Sequence, residues 1–343
     1  MRAGRLAIVA TVLAALSTLE GTLIATPVRA QSTMNQLRLA EGADETNTLT
    51  SSVYDAGGTA LVAIGAFTAA YDKKQLFVRR GGGNMFTRGP EYKLSPTIDV
   101  TALLTETVEA QARAMGLRIA GAGETGWQLS GTVRELYLES RQIPYGATLF
   151  YGYINVEVQV GSPSGAKETM VMRLHTYGGD YNAGGGRRDE AETAAARLLI
   201  EGAQELLASV NRAYIHARPS ASMAAQLATL QAGRLRTQRA TLRAIGLSGL
   251  DSATSTLLTL LPTEARESGR ATVIDALALL GSVAAVEPLA QRYALEDEDC
   301  RWFTLKAMDY IGGEQAMKFV STTGVADKDV GPKRLAARIA AKN

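Results

Sequence analysis

The chain has 343 residues but a single cysteine, Cys300, and only two histidines, His175 and His216. One cysteine excludes an internal disulfide, so the fold must rest on its cores, and this length suffices for two domains. Neither histidine has a cysteine partner or H-x-x-x-H spacing, so we predict no metal site. His175 lies in a strand-like run and His216 just after a helix, and each is expected on the surface or in a hydrogen bond.

Motifs of catalysis and cofactor binding are also missing. The chain has no G-x-S-x-G elbow and no phosphate-binding G-x-x-x-x-G-K-[ST] loop. Glycines at 81–83 follow two arginines and glycines at 184–186 precede two more, which raises phosphate binding as a hypothesis, but we favour mobile hairpin or connecting loops. Cys300 follows three acidic residues, whose charges disfavour a reactive thiolate, so a packed thiol is expected. We therefore predict no catalytic residue, no cofactor and no enzymatic activity.

The first thirty residues are predicted to be a cleavable export signal. Arg2 and Arg5 form a positive start, and residues 6–16 are apolar but too short to span a bilayer comfortably. Small or modest side chains precede a predicted cut after Ala30, which leaves Gln31 first. The alternatives are a buried N-terminal helix or a membrane anchor. The rest of the chain is expected in the periplasm.

Charge and cysteine placement refine that expectation. The chain has 36 basic and 34 acidic residues, and the signal contains three arginines and one glutamate, so 33 of each remain. Nothing in this nearly neutral balance indicates nucleic-acid binding, which requires a basic face, so no nucleic-acid partner is predicted. No cysteine follows Ala30 before Cys300, so a lipid anchor next to the cut is not expected.

Residues 31–57 are expected to be a flexible polar lead, and residues 58–217 an α+β domain. Their pattern is β-α-β-β-β-α, an antiparallel or mixed sheet with two helices on one face. Asp99 is an expected helix N-cap, and the turn 162–165 joins an antiparallel hairpin. The predicted segments are strand 59–67, helix 100–115, strands 127–139, 149–160 and 168–176, and helix 189–210.

Residues 58–217 resemble the YajG-like envelope lipoproteins, a poorly characterised bacterial family. The resemblance rests on the order of several features: the turn 71–74, the helix end 115–117, the strand 129–133, the segment 151–156 and the closing helix. It implies an accessory role in the cell envelope and supplies no catalytic residue. The family is normally lipidated on a cysteine, which this chain lacks there, so outer-membrane attachment is in doubt.

Residues 222–343 contain a repeat of 31 residues. Arg239, Arg270 and Arg301 recur at this spacing, as do Gly281 and Gly312. Each unit is expected to be helix, turn, helix, which buries its apolar face only by stacking on its neighbours. The pattern resembles short HEAT-like repeats, which implies a protein-binding surface; a plain helical bundle is the alternative.

Three functions are compatible with this sequence. The first, which we favour, is a non-catalytic adaptor that binds a protein partner in the bacterial cell envelope chiefly through the repeats. The second is a carrier or accessory subunit of lipid or substrate transport, which requires an apolar cavity between sheet and helices. The third is an enzyme. If the repeats bind the partner, deleting 222–343 is expected to leave a folded α+β domain without partner binding.

Two smaller features carry expectations of their own. The acidic run 296–299 is predicted to be a solvated turn between repeats. The aromatic residues Tyr145, Phe150, Tyr151 and Tyr153 are expected to pack within the strands, although an exposed subset would form a contact patch.

Overall fold

The computed structural model describes residues 36–37, 49, 51–55, 60–71, 77–80, 91–94, 98–121, 123–142, 148–180 and 188–341. The predicted export signal, most of the polar lead, both glycine loops and Tyr145 lie outside the described residues. The described part has a mixed sheet followed by a helical region, which confirms the predicted α+β class with an all-α C-terminal part.

Within the described residues, eight strands precede most of the helices. The strands are β1 Gln36–Leu37, β2 Leu61–Ala69, β3 Val78–Arg80, β4 Lys93–Leu94, β5 Arg118–Ile119, β6 Trp127–Gln142, β7 Thr148–Gly161 and β8 Lys167–Asp180. The helices are α1 Val100–Ala114, α2 Arg188–Val210, α3 Ala221–Ala228, α4 Arg239–Ser248, α5 Ala253–Leu260, α6 Glu267–Leu280, α7 Val286–Arg292, α8 Glu298–Ile311, α9 Gly313–Phe319 and α10 Val330–Ala340.

The main sheet has the order β5-β2-β6-β7-β8, and β3 also pairs with β6. Strands β2 and β3 run parallel to β6, whereas β6, β7 and β8 form an antiparallel meander. Asp99 caps α1 by accepting hydrogen bonds from the amides of Thr101 and Ala102. Gly116, just after this helix, has φ 92°, which glycine tolerates at no steric cost.

A bulge keeps the apolar face of β6 continuous. The pairing of β6 with β7 shifts register between Val133 and Glu135. The extra residue changes the alternation, so Leu129 and Val133 before the bulge share a core with Leu136 and Leu138 after it. This bulge explains why the sequence alternates only imperfectly along this strand.

The sheet is covered on both faces. Helices α1 and α2 pack on one face through a core that contains Leu104, Val108 and Leu198, each at most 1% exposed. The other face presents Tyr151 and Tyr153, which belong to a second core shared with the C-terminal helices. All of these elements lie within one compact unit, Gln36–Asn343.

The helical region consists of helix pairs whose first members lie side by side. Helices α4, α6, α8 and α10 pack against one another in that order, and α5, α7 and α9 lie outside them. Gly249, Gly281 and Gly312 end α4, α6 and α8 with positive φ angles of 68°, 65° and 69°. The row of first helices extends around the β8 edge of the sheet, since α4 contacts α2 whereas α8 covers the tyrosine face.

An arginine–carboxylate pair repeats with the helices. Arg270 Nε donates to Glu296 Oε2 at 2.7 Å, and Arg301 Nε donates to Asp327 Oδ2 at 2.9 Å. Both pairs span 26 residues and lie 31 residues apart. In these two units the repeated arginine thus joins the start of the first helix to the loop that ends its own unit, whereas Arg239 binds Glu201 of α2.

Candidate functional site

The described part of the chain has an open groove with a volume of about 750 Å³. It lies where the end of β8 meets the N-terminal ends of α4, α6 and α8, so its walls come from three successive helical units and one strand. We call it the groove; its lining residues are Tyr177, Arg236, Arg239, Arg266, Glu267, Ser268, Ala271, Thr272, Asp275, Asp299 and Phe303. A volume of this size is typical of ligand-binding sites.

Three guanidinium groups line one side of the groove. Arg236 lies in the turn before α4, Arg239 begins α4, and Arg266 is the N-cap residue of α6. Arg239 Nη2 lies 3.0 Å from Glu201 Oε1, whereas Arg236 and Arg266 are exposed and have no carboxylate partner among the described residues. Two charges on this side are therefore available to a ligand.

The surroundings of the acidic side of the groove raise the pKa values of two of its carboxyl groups. Partial burial and the neighbouring Asp297, which hydrogen bonds to Glu267, raise the pKa of Glu267 to about 7. Burial also raises the pKa of Asp299 to about 6, although Tyr177 Oη donates to its Oδ1 at 2.7 Å. A pKa of about 7 leaves Glu267 only partly ionised near neutral pH, so the acidic side carries less than its full negative charge.

The floor of the groove is apolar and rigid. Phe303 is 8% exposed, and its ring lies 5.5 Å from that of Tyr177 in an edge-on arrangement. Trp302 packs against both rings, at 5.1 Å from Phe303 and 5.6 Å from Tyr177. Aromatic rings held in this way offer a preformed apolar surface to a ligand.

A buried ion network supports the groove from beneath. Lys306 Nζ lies 2.8 Å from Asp275 Oδ1 and 2.8 Å from Glu205 Oε1, and Arg243 Nη2 lies 3.2 Å from the same Glu205 oxygen. Burial alone would lower the pKa of Lys306, but the two carboxylates raise it. Burial would raise the pKa of Asp275, yet Lys306 and Arg243 lower it. These shifts hold Lys306 and Asp275 in their charged forms, and Asp275 brings the network to the groove wall.

The same network reaches the edge of the sheet. Tyr310 donates its hydroxyl proton to Glu205 and accepts the backbone N–H of His175 at 2.9 Å. His175 Nε2 lies 2.8 Å from Asp309 Oδ2, and Arg173 Nη2 lies 2.7 Å from the other oxygen of that carboxylate. Helix α8 therefore satisfies polar groups of the edge strand β8, which protects this edge from pairing with another chain.

The structure places the two histidines apart and without a shared partner. His175 is buried and hydrogen bonded; of the two placements expected from sequence, on the surface or in a hydrogen bond, it has the second. His216 follows α2 with a positive φ of 55° and donates its backbone N–H to Asn211. Neither lines the groove.

The acidic run 296–299 is not a solvated turn, so that expectation is wrong. Glu296 is 5% exposed and binds Arg270 at 2.7 Å and Arg292 at 2.7 Å. Asp297 accepts the amide of Cys300 at 2.8 Å and caps α8. The sequence prediction failed because the arginines that bury this run are 26 and 4 residues from Glu296 in the chain.

Two residues of the run and the adjacent Cys300 bring together three side chains of the kinds that bind metal ions. Carboxylate oxygens of Glu296 and Asp297 and the thiol of Cys300 lie within 4.8 Å of one another. However, Arg270 binds both carboxylates, and burial raises the pKa of the thiol far above its ordinary value, with Asp297 adding to the shift. An arginine-neutralised pair beside a protonated thiol is a structural cluster, as expected for a packed Cys300.

The aromatic residues of β7 divide between the two cores. Phe150 faces the side of α1 and α2, whereas Tyr151 and Tyr153 face the C-terminal helices. Tyr151 packs 5.7 Å from Trp302, and Arg338 lies 4.0 Å above the Tyr153 ring. These side chains pack within the fold, as predicted for strand residues.

Sequence reasoning did not identify the groove residues. Arg236, Arg266 and Tyr177 belong to no motif, and the nearest signal was the 31-residue spacing of Arg239 and Arg270. That spacing shows that helix starts recur on one side of the array, and helix starts are where this cavity forms. The strand residue Tyr177 could not be placed there without the three-dimensional fold.

None of the helices in the described part of the chain is both long enough and apolar enough to cross a membrane. No family model matches the chain, and no curated protein is significantly similar to it.

Solved structures give only partial likenesses. One is described as an uncharacterized protein, with 12% identity and a TM-score of 0.30, and the match covers 44% of this chain and 92% of that one. Another is a Xanthomonas campestris protein of the family DUF330, with 14% identity and a TM-score of 0.29, over 50% of this chain and 90% of that one. Likenesses this weak assign no function to the chain.

Proposed function

We propose that this protein is a non-catalytic adaptor of the bacterial cell envelope that binds a protein partner through its helical region. The observation that carries the proposal is the groove, whose walls come from successive helical units and whose charges are not all matched within the fold. The resemblance to HEAT-like repeats supports the same reading, since stacked helix pairs present extended binding surfaces.

The fold limits which surfaces of the helical region are accessible to such a partner. The first helices of the units face the sheet and α2, so this side of the array is occupied by the protein itself. The groove at the helix starts and the outer helices α5, α7 and α9 remain accessible. Of these, the groove combines unpaired charge with an apolar floor, and we assign the partner to it.

The alternative of a lipid carrier has weaker support. It requires an apolar cavity between the sheet and its helices, but side chains such as Leu104, Val108 and Leu206 fill that space and are each at most 1% exposed. The groove itself is lined by arginines and carboxylates, which do not suit acyl chains.

Export is part of the proposal, and one measurement tests it. Intact mass and N-terminal sequencing of the protein from a periplasmic fraction are expected to show Gln31 as the first residue. A full-length protein retained in the cytoplasm would contradict an envelope role.

Site-specific photo-crosslinking tests the assignment to the groove. A benzophenone amino acid at Ser268, on the groove rim, is expected to crosslink one partner protein in intact envelopes. Ser255, exposed on α5, is the matched control position and is expected to give no such product. The product should vanish when Arg236 and Arg266 are both changed to glutamate. A partner crosslinked from Ser255 and not from Ser268 would move the interface to the outer helices and overturn the assignment.

A further inference from the structure

Two positive charges in the groove, those of Arg236 and Arg266, have no carboxylate partner in the described part of the fold. Asp275 is held by Lys306 and Arg243, and Asp299 accepts the hydroxyl of Tyr177. No described carboxylate pairs with Arg236 or Arg266 on the opposite side. A ligand that supplies carboxylates there would complete charge-assisted hydrogen bonds, which are among the strong polar contacts in proteins.

The start of α6 does not add to this unmatched charge. This 14-residue helix begins at Glu267, an acidic residue of its own first turn, and the Glu264 carboxyl group accepts the backbone N–H of the N-cap residue Arg266 at 2.9 Å. Acidic groups of the fold therefore already match the partial positive charge of this helix N-terminus. The site depends on the guanidinium groups of Arg236 and Arg266.

The apolar floor of the groove favours an acidic peptide over a small anion as the ligand. Phe303, Tyr177 and Ala271 lie next to the arginines, and a free phosphate or carboxylate would leave them uncovered. A segment with an apolar side chain between acidic ones would cover the rings and reach both guanidinium groups. The volume of about 750 Å³ accommodates several side chains.

We infer that the groove recognises an extended acidic segment of the protein partner, with an apolar side chain on the Phe303–Tyr177 floor and carboxylates at Arg236 and Arg266. This inference rests on the adaptor function proposed above and specifies the chemistry of the partner.

The test uses defined peptides and the whole mature protein. Fluorescence anisotropy would measure binding of a labelled peptide with one phenylalanine between two pairs of glutamates. We expect saturable binding that weakens about tenfold or more in the R236E/R266E double variant, because two charge-assisted contacts are lost. The double variant R236K/R266K should retain part of the affinity. Arg218→Glu, at an exposed arginine outside the groove, should change it little.

Two further probes give the results that would overturn the inference. The same peptide with glutamine in place of glutamate, or alanine in place of phenylalanine, is expected to bind about tenfold more weakly. If these peptides bind as tightly as the original acidic peptide, the groove does not recognise an acidic segment with an apolar side chain. Displacement of the acidic peptide by millimolar inorganic phosphate would lead to the same conclusion. If Ser268 still crosslinks a partner while the acidic peptide does not bind, the adaptor function stands and the inferred chemistry fails.

Discussion

Lys306 and Asp275 occupy equivalent positions in successive helical units, 31 residues apart, and Lys306 Nζ lies 2.8 Å from Asp275 Oδ1 in the interior. The repeat thus places opposite charges one above the other, and Glu205 of α2 binds the same ammonium. Two buried cations of the periodic array, Lys306 and Arg243, therefore join it to helix α2 of the α+β region.

Removing the Lys306 cation should destabilise the protein strongly. Lys306→Met leaves Asp275 and Glu205 buried beside a single remaining cation, Arg243, and breaking a buried pair costs about 3–5 kcal/mol. We expect this loss in the free energy of unfolding, measured with urea. Lys318→Met, at an exposed lysine on α9, is the matched control and should change it by less than about 0.5 kcal/mol. Equal stability of the two variants would contradict a central role for the network.

The repeated arginines should differ in their contribution to stability according to burial. The Arg301 side chain is 5% exposed and binds Asp327 and Asp329, so Arg301→Ala should cost about 3 kcal/mol. The Arg239 side chain is 39% exposed and has one partner, so Arg239→Ala should cost less than about 1 kcal/mol. Chemical unfolding of both variants measures the difference. Similar costs would show that repeat position, and not burial, determines the contribution.

Binding of the acidic peptide should weaken as pH rises from 5.5 to 8. Burial and nearby acids raise the pKa of Asp299 to about 6 and that of Glu267 to about 7, so the groove gains negative charge across this range. The charged groups that face Glu267 are Asp297, Asp299 and Arg270. We expect a several-fold loss of affinity by anisotropy, of the size that one or two exposed charges produce.

Glu267→Gln tests the origin of this pH dependence. The variant should keep high affinity at pH 8 and lose the change centred near pH 7, while the change near pH 6 from Asp299 remains. A pH profile identical to that of the unmodified protein would show that Glu267 does not act on the ligand.

Deleting residues 222–343 should not leave a soluble α+β domain, in contrast to the expectation from sequence. Tyr137, Tyr151 and Tyr153 are at most 4% exposed because the C-terminal helices cover them. Three such rings would expose roughly 500 Å² or more, a patch that favours association. We expect the truncated chain to self-associate in size-exclusion chromatography and to bind a hydrophobic dye.

Serine substitutions provide the control for that deletion. Changing the three tyrosines to serine in the truncated chain should reduce self-association. A truncated chain that is monomeric and unfolds cooperatively without these changes would show that the helical layer is dispensable.

Local features of this protein were predictable from sequence. The Asp99 cap, the helix end at Gly116 and the turn at 162–165 follow from residue types that favour one backbone geometry. The slip in alternation near Leu136 corresponds to the bulge of β6. The recurring arginines and the glycines at 281 and 312 marked helix starts and ends, because these positions need the same chemistry in every unit.

The groove and the buried run 296–299 were not predictable in this way. Glu296 looked exposed because its sequence neighbours are acidic, yet Arg270 from the start of the preceding first helix neutralises it. Tyr177 carries no signal that separates it from other strand aromatics. Its role depends on where β8 ends relative to α6 and α8.

The sequence alone determined the four longer strands, helices α1 and α2 and the period of the C-terminal units, since these depend on contacts between residues close in the chain; the short strands β1, β3, β4 and β5 were not predicted. Only the tertiary structure decided that the helical row extends around the β8 edge, that the tyrosine face of the sheet is internal, and that the groove has unmatched arginines. The physical reason is that burial and charge pairing depend on long-range contacts. Lys306 and Glu205 are 101 residues apart, and no local pattern predicts that they meet.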